Sequence, residues 1–141
     1  MSDVFVDTSA FVALRNRSER EHLDARRTLQ DLVAQRVSLF TSTSVFSETY
    51  TALLTRVGRQ EAIGWGRQMR VGTVIRIIHI DDALAEEAWR LLEEYADKLW
   101  SHVDATSFAL MAREGSTTAF AFDHHFVQCG LQVVPGSYAR D

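Results

Sequence analysis

Val4-Phe5-Val6-Asp7-Thr8-Ser9-Ala10-Phe11 is the stretch that decides the fold. Three consecutive apolar, β-prone residues with no polar alternation read as a short strand buried on both faces. Asp7 stops the run, and Ser9 can cap a helix from near Ala10 to Arg15. Strand, acidic residue, helix is the opening of a parallel α/β unit. The same order recurs along the chain. Helical spacing over His22–Gln35 leads to a strand at Val37–Thr41 and a helix from Thr43 or Ser44 to Arg56, stopped at Gly58. Glu61–Arg70 continues the helical pattern. Val74–Ile80 is β-branched and reads as a buried strand, and Asp81 or Asp82 caps the next helix, with Leu84, Ala88, Leu91, Leu92 and Tyr95 inward. A helix over Val103–Arg113 ends at Gly115. Strands at Thr117–Phe122 and Gln132–Val134 close the series. The expected fold is one three-layer α/β/α sandwich on a short, mostly parallel central sheet, a single domain over residues 1–141.

Four acidic residues stand out against this frame. Asp7 and Asp123 each end an apolar strand, and in open parallel sheets ligands sit outside the carboxyl ends of the strands. Taken singly, each reads more readily as a turn or helix-capping aspartate. Asp104 projects between Phe108 and Met111 on the apolar face of its helix, although Ser101-His-Val-Asp104 also matches a capping box. Glu48 lies at the edge of the stripe Phe46, Tyr50, Leu53 and Val57, where an ordinary exposed glutamate would also lie. Carboxylates among residues that ought to be buried are costly unless neutralised, and a divalent cation such as Mg²⁺ or Mn²⁺ is the common partner of several hard oxygen anions. That points toward phosphate chemistry.

The ordered set of strand-Asp, helix-Glu, helix-start-Asp, strand-Asp resembles the PIN-domain family of metal-dependent ribonucleases. Val4-Phe-Val-Asp-Thr-Ser-Ala-Phe, Ser47-Glu-Thr, Val103-Asp-Ala and Ala121-Phe-Asp-His-His-Phe126 carry the resemblance, over nearly the whole chain. Length and acidic order look most like the VapC-type toxins of bacterial toxin–antitoxin pairs. The resemblance implies an acidic catalytic pocket of Asp7, Glu48, Asp104 and Asp123. Asp7, Asp104 and Asp123 would hold Mg²⁺ or Mn²⁺, and Glu48 would ligate a second ion or orient the attacking water. Thr8 or Ser9 would hydrogen-bond a ligand water or a carboxylate. It also implies an RNA substrate cut to a 5′-phosphate and a 3′-hydroxyl, a cognate antitoxin protein and a homodimer. One departure is Ala121, where many relatives carry threonine or serine. That leaves open a PIN-like module that binds RNA or protein without cutting it. His124 and His125 stand where relatives often have a basic residue and read as turn residues able to touch phosphate.

Composition bounds the rest. A 46% apolar, 24% charged chain of 141 residues is ordinary for a globular protein large enough for its own core. A single cysteine, Cys129, excludes an internal disulfide framework and fits a reducing cytoplasm. No apolar run is long enough to span a membrane, and no signal peptide is visible. The net charge of −4 hides a basic run, Arg56, Arg59, Arg67, Arg70 and Arg76, ahead of an acidic one from Asp81 to Asp97. Both suit solvated helix faces; arginine also suits bidentate phosphate binding. Receiver-like and aspartyl-phosphatase readings fail. The only lysine, Lys98, is not at a strand end, and Ser9 occupies the place of the phosphatases' second aspartate. Phe11, Phe46, Tyr50, Trp65, Met69 and Trp100 suit either core packing or a groove or dimer face.

Overall fold

β1 (Val4–Val6) is the central strand of a five-stranded sheet in the order β3-β2-β1-β4-β5. The structure, a computed structural model, describes residues 3–136. Every pairing is parallel, and all three β1 residues are fully buried, so both faces of the sheet are covered. The other strands are β2 (Leu39–Ser42), β3 (Ile75–Ile78), β4 (Thr118–Phe120) and β5 (Gln132–Val134). The helices are α1 (Thr8–Arg15), α2 (His22–Ala34), α3 (Thr43–Arg56), α4 (Arg59–Val71), α5 (Asp82–Glu94), α6 (His102–Glu114) and α7 (His125–Gln128). α1 packs on α2 and α3, α3 on α4, and α5 on α6. The α/β/α architecture expected from the alternation of elements is the one observed.

The chain runs from β1 outward to β2 and β3, then returns past β1 to β4 and β5. The order therefore reverses between β1 and β4, which are paired in register Val4 with Thr118 and Val6 with Phe120. In doubly wound sheets the crevice at such a switch point is where ligands bind. Asp7 and Asp123 both lie just beyond it.

Several boundaries differ from the sequence reading, each for a local reason. α1 begins at Thr8 because Asp7, not Ser9, is its N-cap, accepting the Ser9 N–H. Ser42 caps α3 rather than Thr43 or Ser44, because β2 runs directly into the helix. Gly58 has φ 138° and sits between α3 and α4, so α4 starts at Arg59. β3 is only partly buried, because it is an edge strand with one neighbour and not a central one. Tyr95 is half-exposed rather than inward. Gly115 ends α6 in the left-handed conformation, φ 70°, as its position suggested. The short helix α7 has no counterpart in the sequence reading.

An aromatic chain ties α6 and α7 to the sheet. Phe126 is fully buried and meets Phe5 at 6.1 Å and Phe108 at 5.2 Å between ring centroids. Phe108 in turn meets Trp100 at 4.9 Å, and Trp100 Nε1 donates to Gln128 Oε1 at 3.1 Å. Of the large apolar residues singled out above, Phe11, Trp65 and Trp100 are buried and Phe46, Tyr50 and Met69 pack partly buried against the core. Truncating Phe126 to alanine removes the anchor of α7 and leaves a cavity under it. The expected cost is about 3–5 kcal/mol, read as a lowered urea midpoint with little change in slope.

Candidate active site

Three of the four expected acidic residues meet at the carboxyl ends of β1 and β4. Asp7 follows β1 directly, and its N–H donates to the Phe120 carbonyl at the end of β4, at 3.0 Å. Ser9 locks its side chain: Ser9 Oγ donates to Asp7 Oδ2 at 2.7 Å and Ser9 N–H donates to the same oxygen at 3.1 Å. Ser9 Oγ also accepts the Phe122 N–H at 2.9 Å, so one hydroxyl joins the ends of β1 and β4. Ala121 is fully buried and offers no hydroxyl of its own.

Asp104 enters from the first turn of α6. The capping box is present in both halves: Asp104 N–H donates to Ser101 Oγ and Ser101 N–H donates to Asp104 Oδ2, each at 3.0 Å. Asp104 is nonetheless buried, 7% exposed, because α6 starts over the sheet with Ala105, Phe108 and Met111 inward. Asp123 Oδ1 accepts the backbone N–H of His125 at 2.8 Å and so sets the start of α7. The imidazole of His125 then swings back over the site. Its Nδ1 lies 2.9 Å from Asp104 Oδ2 and 3.1 Å from Asp123 Oδ1. His124 points outward, two-thirds exposed, with Nδ1 4.0 Å from Asp123 Oδ1. The two histidines, alike in sequence, therefore stand in different places. The signal that separates them is the buried Phe126, which fixes which side of α7 faces inward.

Glu48 comes from a different element. It is half-buried on α3 and opens onto a cavity of about 780 Å³, with Ser44, Ser47, Thr51 and Val103 in its wall. Val103 immediately precedes Asp104, so Glu48 faces the start of α6. Among the described residues its carboxylate has no hydrogen bond or ion pair. Thr8 Oγ1 is buried and likewise without a partner there.

The electrostatics are those of a site short of positive charge. No lysine or arginine among the described residues pairs with Asp7, Asp104 or Asp123; only His124 and His125 approach them. The Asp7 carboxyl is pushed up to about 7, chiefly by burial and to a lesser degree by the charges of Asp123 and Asp104, against two Ser9 hydrogen bonds that lower it. Asp123, His124 and His125 present donor atoms within 4.8 Å of one another, the spacing of a potential cation site. An oxygen-rich donor set with a proton-hungry buried aspartate fits a divalent cation.

Comparison with known proteins agrees with the geometry. The model of the PIN domain matches residues 4–130. The chain belongs to the PIN-domain family. It is 37% identical over 128 residues to the 23S rRNA-specific endonuclease VapC20 of Mycobacterium tuberculosis, covering 91% of this chain and 95% of that protein. The crystal structure of Mycobacterium tuberculosis VapC20, described as a Sarcin-Ricin loop cleaving toxin, superposes with a TM-score of 0.83 over 92% of this chain and 96% of that one. A crystal structure of VapBC2 from Rickettsia felis, 14% identical, shares the fold with a TM-score of 0.70 over the same shares.

The raised Asp7 pKa has a consequence for stability without added metal. The folded protein keeps the Asp7 proton up to about pH 7, whereas the unfolded chain loses it near its ordinary value of 3.8. The contribution of Asp7 is therefore full below about pH 4 and is lost as pH rises through 7. Thermal melts in a chelating buffer are expected to show this component of stability falling between about pH 4 and 7 and levelling off above that. Asp7→Asn, which has no proton to lose, is expected to flatten that slope and melt higher than wild type at pH 8.

Proposed function

We propose that this protein is a divalent-metal-dependent endoribonuclease acting as the toxin of a toxin–antitoxin pair. The observation that carries the reading is the convergence of Asp7, Asp104 and Asp123 at the β1/β4 switch point with no lysine or arginine to neutralise them. Relationship to a relative named as a 23S rRNA-specific endonuclease supplies the substrate class, and ribosomal RNA is the first substrate to test. Asp7, Asp104 and Asp123 are the proposed ligands of Mg²⁺ or Mn²⁺, and Glu48 completes the catalytic set. When bound, such an ion polarises a phosphoryl oxygen and acidifies a coordinated water.

The protein's own groups do the positioning. Two bonds from Ser9 hold Asp7 Oδ2, which leaves Oδ1 as the outward donor. The capping box fixes Asp104 in the same way through Oδ2. The free carboxylate of Glu48 is suited to accept a proton from, or orient, water entering beside α6, and the unpartnered Thr8 hydroxyl is a further donor to such a water. The exposed arginines of α4, Arg59, Arg67 and Arg70, have no acidic partner among the described residues and suit the phosphates of an RNA backbone despite the net charge of −4.

A toxin of this kind needs a restraining partner. A groove of about 1100 Å³ with Phe11, Leu14, Trp65 and Met69 in its floor and Arg15 and Arg26 on its rim suits an apolar peptide flanked by acidic residues, the chemistry we assign to the antitoxin segment. Homodimerisation is proposed through the exposed Trp89 and Leu99, which are 56% and 92% accessible. No helix among the described residues is long and apolar enough to cross a membrane.

Purified protein is expected to cleave ribosomal RNA with Mg²⁺ or Mn²⁺ and to stop on chelation. Asp7→Asn and Asp104→Asn are expected to lower the rate by at least about a hundredfold, the scale of losing a preorganised electrostatic group. RNA bound but left whole by wild type under every metal condition would instead favour the non-cutting PIN-like module that Ala121 allows. Glu48→Gln is expected to reduce turnover while leaving metal affinity within about threefold of wild type, checked by calorimetric Mn²⁺ titration beside the cleavage assay.

A further inference from the structure

We propose that Ser44, Ser47 and Thr51, a stripe of hydroxyls along α3, form the subsite for the ribose of a nucleotide beside the scissile phosphate and read its 2′-hydroxyl. The proposal rests on the endoribonuclease reading above and adds to it the group by which RNA is told from DNA.

The stretch from Thr41 to Thr55 carries a hydroxyl at eight of its fifteen positions. Most of these have a visible task inside the protein. Thr41 Oγ1 donates to the Val6 carbonyl at 2.8 Å, and Ser42 Oγ accepts the Val45 N–H at 3.0 Å as the cap of α3. Thr43 Oγ1 accepts the Ile80 N–H at 3.1 Å. Thr49 is fully buried, and Thr55 Oγ1 donates to the Thr51 carbonyl at 3.1 Å. Ser44, Ser47 and Thr51 remain. Their hydroxyls make no hydrogen bond among the described residues. Other helical hydroxyls of this chain behave differently. Thr28, Thr106 and Ser107 each donate to a carbonyl three or four residues back. Ser47 and Thr51 have the same option within α3 and leave it unused.

The three residues stand at i, i+3 and i+7, on one face of the helix, with Glu48 at i+4 among them. All four line the cavity of about 780 Å³, together with Ala52, Ile80 and Val103. Asp104 follows Val103, so the cavity borders the start of α6 and the acidic crevice. The bond from Ile80 to Thr43 fastens the segment after β3 to the first turn of α3, and so sets this wall before a ligand arrives.

The chemistry of the wall selects the ligand. Among the described residues no lysine or arginine lines it, and Glu48 adds a carboxylate. A phosphate is repelled there. A base needs an aromatic face to stack on, and none of the lining residues is aromatic. A ribose meets both requirements. Its carbons lie against Ala52, Ile80 and Val103, and its 2′-hydroxyl, a donor and an acceptor, pairs with hydroxyls that are the same. In hydrolysis to a 3′-hydroxyl the attacking oxygen is that of water, so the 2′-hydroxyl has no part in the bonds made or broken. Dependence of the rate on it is therefore a measure of recognition.

The test uses the full-length protein with Mn²⁺ and a synthetic oligonucleotide spanning the cut mapped in ribosomal RNA. Versions with a single 2′-deoxy nucleotide on either side of the cut are compared by kcat/KM. Wild type is expected to lose about two- to tenfold at one of the two positions, the scale of one neutral hydrogen bond. The triple variant Ser44→Ala, Ser47→Ala, Thr51→Val is expected to lose at least as much on the all-ribose oligonucleotide and nothing further on the deoxy one, since the partner is already gone. Its Mn²⁺ affinity by calorimetry is expected to match wild type, which separates lost recognition from a disturbed metal site. Thr55→Val, on the same helix with a self-satisfied hydroxyl, is expected to keep both the rate and the discrimination. Equal cleavage of ribose and deoxy oligonucleotides by wild type would overturn the proposal and leave the endoribonuclease reading intact. So would a triple variant that is slower but still discriminates in full. An RNA product ending in a 2′,3′-cyclic phosphate would make the 2′-hydroxyl the nucleophile and overturn both, as would failure to cut RNA at all.

Discussion

Parallel pairing of β1 with β4 is the constraint on which the rest of the structure depends. It joins segments separated by more than a hundred residues, with Val6 opposite Phe120 and the Asp7 N–H on the Phe120 carbonyl. Because β4 leaves the sheet on the opposite side of β1 from β2 and β3, the loops that follow β1 and β4 open onto one crevice. The pairing therefore does two things at once. It buries Val4, Phe5 and Val6 on both faces, and it brings together Asp7, which follows β1 directly, and Asp123, which lies beyond the end of β4 at Phe120. A one-residue slip would send Phe5 and its neighbours to the wrong faces of the sheet. It would also shift Asp7 along β4, away from the Ser9–Phe122 bond that now ties the strand ends. Core packing and site geometry are in this sense one requirement.

Each aspartate also performs an ordinary structural task. Asp7 caps α1, Asp104 completes the capping box of α6, and Asp123 accepts the amide that opens α7. The structural and functional readings of these residues are not alternatives here. A capping carboxylate accepts from the helix through one oxygen and is held rigid by doing so. Its remaining lone pairs face whatever lies beyond the helix end, and the helix dipole lowers the cost of its charge. Three helix starts pointed at one crevice give three rigid oxygen donors without any further framework. Rigidity matters because charge stabilisation works only when donors need not reorganise as the reaction proceeds.

Much of this was legible in the sequence. The apolar runs ending in Asp7 and Asp123 gave the parallel sheet, and Ser101 with Asp104 gave a capping box that the structure keeps. What escaped was what depends on tertiary context. Val74–Ile80 is as β-branched as a central strand, yet β3 lies at the edge, because strand order is set by crossovers that no local window contains. The α1 cap moved from Ser9 to Asp7 because both residues are good caps, and the choice turns on Ser9 being drawn to the end of β4. The inward turn of His125 depends on four residues of α7 and on Phe126 finding Phe5 and Phe108, contacts of long sequence separation. Glu48 was placed at the edge of its helix stripe, and there it stays: half-buried, beside the start of α6, with its carboxylate unclaimed.

The shortage of positive charge in the crevice has a further physical consequence. Asp7 is buried with its Oδ2 already committed to Ser9, beside two other carboxylates. At neutral pH it holds either a proton or a share of a cation, because bare ionisation in that setting is what burial and its neighbours oppose. A metal bound there would compete with the proton for one set of oxygens, and its binding would release protons. Arginine or lysine in the crevice would remove the competition by neutralising the acids permanently, and with it the reason for a cation to bind. The chain instead places arginines where acidic residues of other elements engage them, as Arg15 does with Glu61, Arg76 with Asp3 and Arg113 with Asp81, or leaves them on the outer surface of α4. Keeping fixed positive charge out of the crevice while surrounding the fold with it is what would let a net acidic protein offer the proposed cation site to a polyanionic substrate.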